Sequence, residues 1–113
     1  MNFESQKSDQ YATVKITNDK LDSSISAEIK AELVELNNQG FKNLIMDLSV
    51  VKYCDSSGLS SILVANRLCK NAQGTFVVAG LNEMVSKLIS LSQLDSILKI
   101  VPSKEEAIKL IAK

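Results

Sequence analysis

Histidine is absent from all 113 residues, and with it goes the imidazole that Ser-His-Asp and Cys-His nucleophile systems and most catalytic zinc sites require. Tryptophan is also absent, aromatic residues make up 4% of the chain, and arginine occurs once, at Arg67. Lys+Arg and Asp+Glu balance at 13 each, with the lysines dispersed. No basic stripe can follow a phosphate backbone and no aromatic platform can stack bases, so nucleic acid is not an expected partner. Cysteine is sparse: Cys54 and Cys69 have no CxxC spacing, which excludes a zinc ribbon or a thioredoxin-type pair and predicts two reduced, packed thiols. Unbroken apolar runs reach only four residues, at Ile62–Ala65 and Phe76–Ala79, against the ~20 needed to cross a bilayer. The start, Met1 to Gln10, is polar and lacks the apolar stretch of a secretory signal. These absences predict a cytoplasmic protein without direct membrane insertion. With one proline, four glycines and no Pro/Gly-rich linker, residues 1–113 are read as a single domain with 45% hydrophobic residues for its core.

What is present is an alternation of short apolar runs and helical stripes. Tyr11 to Thr17 alternates with a period near two and is rich in β-branched residues, predicting a half-exposed strand, with a weaker strand around Phe3 to Ser8. Ile25, Ile29, Leu33 and Leu36 fall at helical spacing, and that helix should end near Gly40. Leu44 to Leu48 and Thr75 to Ala79 read as strands covered on both faces. A second helix carries Leu59, Ile62, Leu63 and Asn66, a third Val85, Leu88, Ile89 and Leu91, and a short strand spans Ile97 to Val101. Ser103-Lys104-Glu105-Glu106 has the form of a capping box and opens a last helix with Ala107, Ile108, Leu110 and Ile111 on its apolar face and Lys104, Glu105, Glu106, Lys109 and Lys113 in solvent. Met46, Met84 and Tyr53 are expected in the core. Strands and helices in this order imply βαβ crossovers: an α/β fold with a mostly parallel sheet of four to five strands and about four helices.

The segment with chemical potential is Tyr53-Cys54-Asp55-Ser56-Ser57-Gly58-Leu59, between the central strand and the second helix. Open α/β sheets place function at such junctions, where helix N-termini face solvent. A helix starting near Gly58 would direct unpaired N–H groups and the positive end of its dipole at Ser56 and Ser57, favouring an anion by ~0.3–1 kcal/mol. Asp and Ser ahead of an apolar stripe are also the commonest N-caps, so spacing alone leaves both a cap and an anion site open. No GxSxG elbow is present, and no general base can be a histidine.

This heptamer, following an apolar strand and leading into a helix with Ile62-Leu63, resembles the signature of the STAS family, the bacterial anti-sigma factor antagonists. Lys20-Leu21-Asp22 resembles the end of that family's Gly-Glu-Leu-Asp segment, and Gly74 to Gly80 its strand after the second helix. The resemblance implies a STAS-type fold and a phosphoacceptor at Ser56, with Ser57 its rival and Ser60 and Ser61 more distant ones. It implies a partner-binding loop of Asp22, Asp55, Ser56, Ser57, Gly58 and Leu59. The implied partners are an anti-sigma factor that is also a serine kinase, bound by the unphosphorylated form and released by phosphorylation, and a PP2C-type phosphatase. ATP and Mg²⁺ would belong to the kinase, leaving no intrinsic cofactor, no metal and no catalytic residue here. A different class of reading is a STAS subunit of a larger assembly, a lipid-transport ATPase complex or a stress-signalling scaffold, in which the serine is never phosphorylated. A small enzyme using Asp22 and Asp55 as acid and base has the least behind it, because nothing in the sequence indicates a cleft between them.

Overall fold

Apolar runs covered on both faces become the middle of a sheet, and amphipathic stripes become the layers that cover it. The computed structural model describes residues 2–111, so Lys113 of the expected solvated face lies outside the described residues. The elements in chain order are β1 (Phe3–Lys7), β2 (Ala12–Ile16), β3 (Lys20–Leu21), α1 (Ser26–Asn38), β4 (Leu44–Asp47), β5 (Tyr53–Cys54) and α2 (Ser56–Asn71). They continue with β6 (Phe76–Ala79), α3 (Glu83–Leu91), a 3-10 turn (Leu94–Ser96), β7 (Lys99–Val101) and α4 (Lys104–Ile111). Five strands form the main sheet in the order β1-β2-β4-β6-β7, with β1 antiparallel to β2 and every other pair parallel. A second, two-stranded parallel sheet pairs β3 with β5. This is the mixed α/β architecture with four helices that the run order predicts.

The two faces of the sheet are covered unequally. Ala12, Val14, Leu44, Met46, Phe76 and Val78 point to one face and pack with Ile29, Leu33 and Leu36 of α1, Ile62, Ala65 and Cys69 of α2, and Val85 and Ile89 of α3. Fully burying each Leu or Ile there contributes roughly 1.5–3 kcal/mol. The other face has a smaller cluster, Ile45, Val77 and Ala79 under Ala107 of α4. Of the Ser103 capping box the serine half is present, its hydroxyl accepting the Glu106 N–H at 3.2 Å. At the end of α1, Gly40 takes φ +98°, a left-handed closing position where glycine carries no Cβ penalty.

Four expectations need correction. Tyr53 is 48% exposed and Met84 62%, because the strand that carries Tyr53 lies outside the main sheet and Met84 sits on the solvent side of the first turn of α3. Leu91, the last residue of α3, and Leu110, the last but one of α4, are exposed as well. The strand after α3 is shorter than Ile97–Val101, its first residues being absorbed by the 3-10 turn and the link behind it. Finally, α2 begins two residues earlier than Gly58, which alters the geometry of the serines.

Candidate functional site

Backbone geometry at the head of α2 is set by Asp55. It is the N-cap, in extended conformation, and its Oδ1 accepts the Gly58 N–H at 2.9 Å and the Ser57 hydroxyl at 2.7 Å. The Gly58 hydrogen bond, then that of Ser57, holds the Asp55 carboxyl below the ordinary carboxylate range, and the Ser23 backbone N–H adds to it from across the β3–α1 loop. Ser56 and Ser57 are therefore the first two helical residues, not part of a preceding loop. The cap reading is the one the structure shows: Asp55 caps the helix, and the cap fixes where the serines project.

The four hydroxyls are not equivalent. Ser61 is fully buried and donates to the Gly58 carbonyl at 2.7 Å. Ser60 is half-buried in the first turn. Ser57 is half-buried and donates to Asp55. Ser56 is exposed, and no acceptor or donor among the described residues engages its hydroxyl. Gly58 is buried, and Leu59 is half-buried against the main core.

Asp22 reaches this edge through the small sheet, in which Lys20 pairs with Tyr53 and Leu21 with Cys54, and the Asp55 N–H donates to the Leu21 carbonyl at 3.3 Å. The Asp19 carbonyl holds the same junction, accepting from the Lys52 N–H at 2.7 Å and the Tyr53 N–H at 3.1 Å. A Cβ on Gly58 would lie 2.1 Å from the Leu21 carbonyl oxygen, so glycine is required for β3 to approach α2 this closely. The Asp22 carboxylate is itself occupied: Oδ1 accepts the Ser24 N–H at 3.0 Å and the Ser24 hydroxyl at 2.6 Å. Asp22 and Asp55 thus each cap a turn, on neighbouring loops. Burial, and secondarily Asp55, pushes the Cys54 thiol up to about 11, and burial pushes Cys69 up to about 12, so neither is a thiolate at neutral pH.

Beside the serines lies a feature the sequence did not reveal. Tyr53, Cys54, Met84, Val85, Leu88 and Leu91 line an apolar groove of about 520 Å³, flanked by Glu83 and Lys87. Tyr53 and Met84, read from the sequence as core residues, are two of its walls.

The STAS domain family model matches residues 2–107 of this chain. The chain belongs to the STAS domain family. BtrV of Bordetella bronchiseptica, named a candidate anti-sigma factor antagonist, is 26% identical over 83% of this chain and 91% of its own. A Thermotoga maritima protein of the same description, known from a crystal structure, superposes with a TM-score of 0.87 at 26% identity, covering 98% of this chain and 95% of that one. The anti-sigma factor antagonist SpoIIAA shares the fold in its unphosphorylated form, with a TM-score of 0.78 at 18% identity over 97% of both chains. Its phosphorylated form from Bacillus scores 0.76 at 20% identity over 96% of this chain and 98% of that one. Among the described residues no helix is long and apolar enough to cross a membrane, and no group of three or more Cys, Asp and Glu is placed to hold a metal ion.

Proposed function

We propose that this STAS domain is an anti-sigma factor antagonist that works as a phosphorylatable binding switch, with Ser56 as the phosphoacceptor. Unphosphorylated, it binds an anti-sigma factor that doubles as a serine kinase, and so frees the sigma factor. Phosphate on Ser56 ends that contact, and a PP2C-type phosphatase restores the binding form. ATP and Mg²⁺ are supplied by the kinase, the exchange takes place in the cytoplasm, and the domain itself catalyses nothing. The observation that carries this reading is the division of labour among the hydroxyls: Ser57 and Ser61 are spent on Asp55 and the Gly58 carbonyl, while Ser56 stands exposed on the first turn of α2.

The physics of the switch supports the reading. A phosphoserine adds about −1.5 to −2 charges at neutral pH, which the α2 N-terminus tolerates. A partner covering Ser56 and the apolar groove must desolvate that charge beside the Asp55 carboxylate. The fold is retained while the interface is lost.

The test is a capture experiment from native lysate with wild type, Ser56→Ala and Ser56→Asp as baits, together with phosphate mapping of the wild type after incubation with ATP. Retention of a serine-kinase-like protein by Ser56→Ala, its loss with Ser56→Asp, and phosphate at Ser56 are expected. If all three baits hold the same transport ATPase or scaffold and no phosphate appears, the switch reading fails and the reading as a subunit of a larger assembly replaces it.

A further inference from the structure

The face of the sheet under α4 is only half covered, and its open half is polar. Through the strand register Glu4 of β1 stands opposite Lys15 of β2, and Lys15 opposite Asp47 of β4. One row deeper, Gln6 stands opposite Thr13, and Thr13 opposite Ile45. Glu4, Gln6, Thr13, Lys15 and Asp47 line a cavity of about 430 Å³, closed on its remaining side by Ser103, Lys104 and Glu105 at the start of α4. Lys104 Nζ donates to Gln6 Oε1 at 2.7 Å, a strap from α4 to β1 across the cavity.

Two features distinguish this cavity from a solvated surface dip. Thr13 is 2% exposed, and its hydroxyl has no hydrogen-bond partner. Thr13 Oγ1 is the one such buried side-chain polar atom among the described residues. A buried hydroxyl without a partner is destabilising, and valine would fill the same space without that cost, so the position invites an outside partner. The charges, moreover, are of both signs and not paired off: among the described residues the one ion pair within 4.0 Å is Lys109–Glu106, elsewhere on α4. Asp47, 8% exposed, lies at the inner wall and accepts the Ser49 N–H, while Lys15 separates it from Glu4. A plain anion would meet Glu4, Asp47 and Glu105, and a plain cation would meet Lys15 and Lys104. A small molecule carrying both charges satisfies the row.

We propose that this cavity binds a small zwitterion of the free amino-acid class. Its carboxylate sits toward Lys15 and the positive end of α4, its ammonium group toward Asp47, and the Thr13 hydroxyl completes its hydrogen bonds. Binding here is separate from chemistry at Ser56, because α2 packs on the opposite face of the sheet from α4.

The experiment is an amide-resolved NMR titration of the whole chain with each of the twenty common amino acids, with sodium acetate and methylammonium chloride as single-charge controls. At least one amino acid is expected to give saturable shifts confined to the neighbourhood of Thr13, Lys15, Asp47 and Lys104, with a dissociation constant of about 1 mM or tighter. Thr13→Val should weaken that binding by roughly tenfold, the worth of one hydrogen bond, while raising the thermal midpoint of the free domain. Lys15→Met, at a half-exposed position, gives the same loss without touching the buried hydroxyl. The proposal is overturned if none of the twenty gives saturable shifts. It is equally overturned if acetate or methylammonium reproduces them, or if they persist unchanged in both variants.

Discussion

Substituting Gly58 by alanine sets two effects of opposite sign against each other. Gly58 is the third residue of α2 and its φ is not in the left-handed region, so in open space alanine would stabilise the helix by up to about 1 kcal/mol. The space is not open. The new Cβ would lie 2.1 Å from the Leu21 carbonyl oxygen and 2.7 Å from Cys54 Sγ, where real Cβ contacts do not fall below 3.0 Å. Overpacking of this kind costs typically about 1–3 kcal/mol, and here the obstacle is backbone, which cannot swing aside as a side chain can. Retreat of β3 would also stretch the Asp55 N–H to Leu21 carbonyl bond, worth about 1 kcal/mol more. The net expectation is a loss of about 1–3 kcal/mol. With an unfolding entropy of about 0.24 kcal/mol/K for a chain of 113 residues, Tm falls by about 4–13 °C. Thermal unfolding followed by circular dichroism measures it, and amide exchange should show faster opening at Asp55. A variant with an unchanged or raised Tm would refute the close approach of β3 to α2, and with it the reason that glycine stands at this position.

Three further outcomes follow from the same geometry. Ser57→Ala should lower stability by about 1 kcal/mol, or about 4 °C in Tm, through loss of the bond to Asp55, whereas Ser56→Ala should leave Tm unchanged within error; equal shifts would contradict the assignment of hydroxyls. Because the Asp55 carboxyl is held below its ordinary value of about 3.9, its charge contributes stability that is fully present above that pH and is lost as pH falls through the folded-state value. The stability difference between wild type and Asp55→Asn, read from urea midpoints, should therefore be constant from pH 5 to 7 and shrink below about pH 4. Leu33→Ala, at a fully buried position of α1, should cost about 2–5 kcal/mol, while Leu91→Ser, at a position 83% exposed, should leave stability within about 0.5 kcal/mol yet weaken capture of the partner by Ser56→Ala baits.

Elements with sustained periodicity were legible in the sequence, and elements of two residues were not. Ile25, Ile29, Leu33 and Leu36 were readable because about three turns of repeated spacing leave one solution, and all four are buried. The runs at Leu44 and Phe76 were readable because only a strand covered on both faces tolerates them, and β4 and β6 are fully buried. By contrast β3 and β5 have two residues each, too few to carry a period, and their pairing depends on a contact across more than thirty positions of sequence. Misplacing Tyr53 in the core follows directly, since an aromatic residue of unknown pairing defaults to the interior. The head of α2 was displaced by two residues because glycine reads as a turn, whereas here Gly58 is helical and its lack of a side chain serves a tertiary contact. The heptamer itself stood out by its position between strand and helix. Which of its serines was free was not readable, because that depends on where one Asp55 oxygen points.

The rigidity of this junction bears on how a charge there can act. Asp55, the Leu21 carbonyl and Gly58 clamp the start of a helix whose Ile62, Ala65 and Cys69 are locked in the main core. Melting the first turn to accommodate a phosphate would break the cap and the β3–β5 contact together, while leaving it in place gains a favourable ~0.3–1 kcal/mol from the helix N-terminus. The charge therefore stays where Ser56 projects, and its cost falls on whatever covers that surface. Tyr53, Met84 and Leu91 give such a partner apolar area to bury next to the charge, so that desolvation of a phosphate is forced by the contacts that supply affinity. A penalty of about 2.8 kcal/mol is a hundredfold in dissociation constant. Under the proposed function, a rigid site would convert one modification into release, and the same rigidity predicts that Ser56→Asp unfolds no more readily than the wild type.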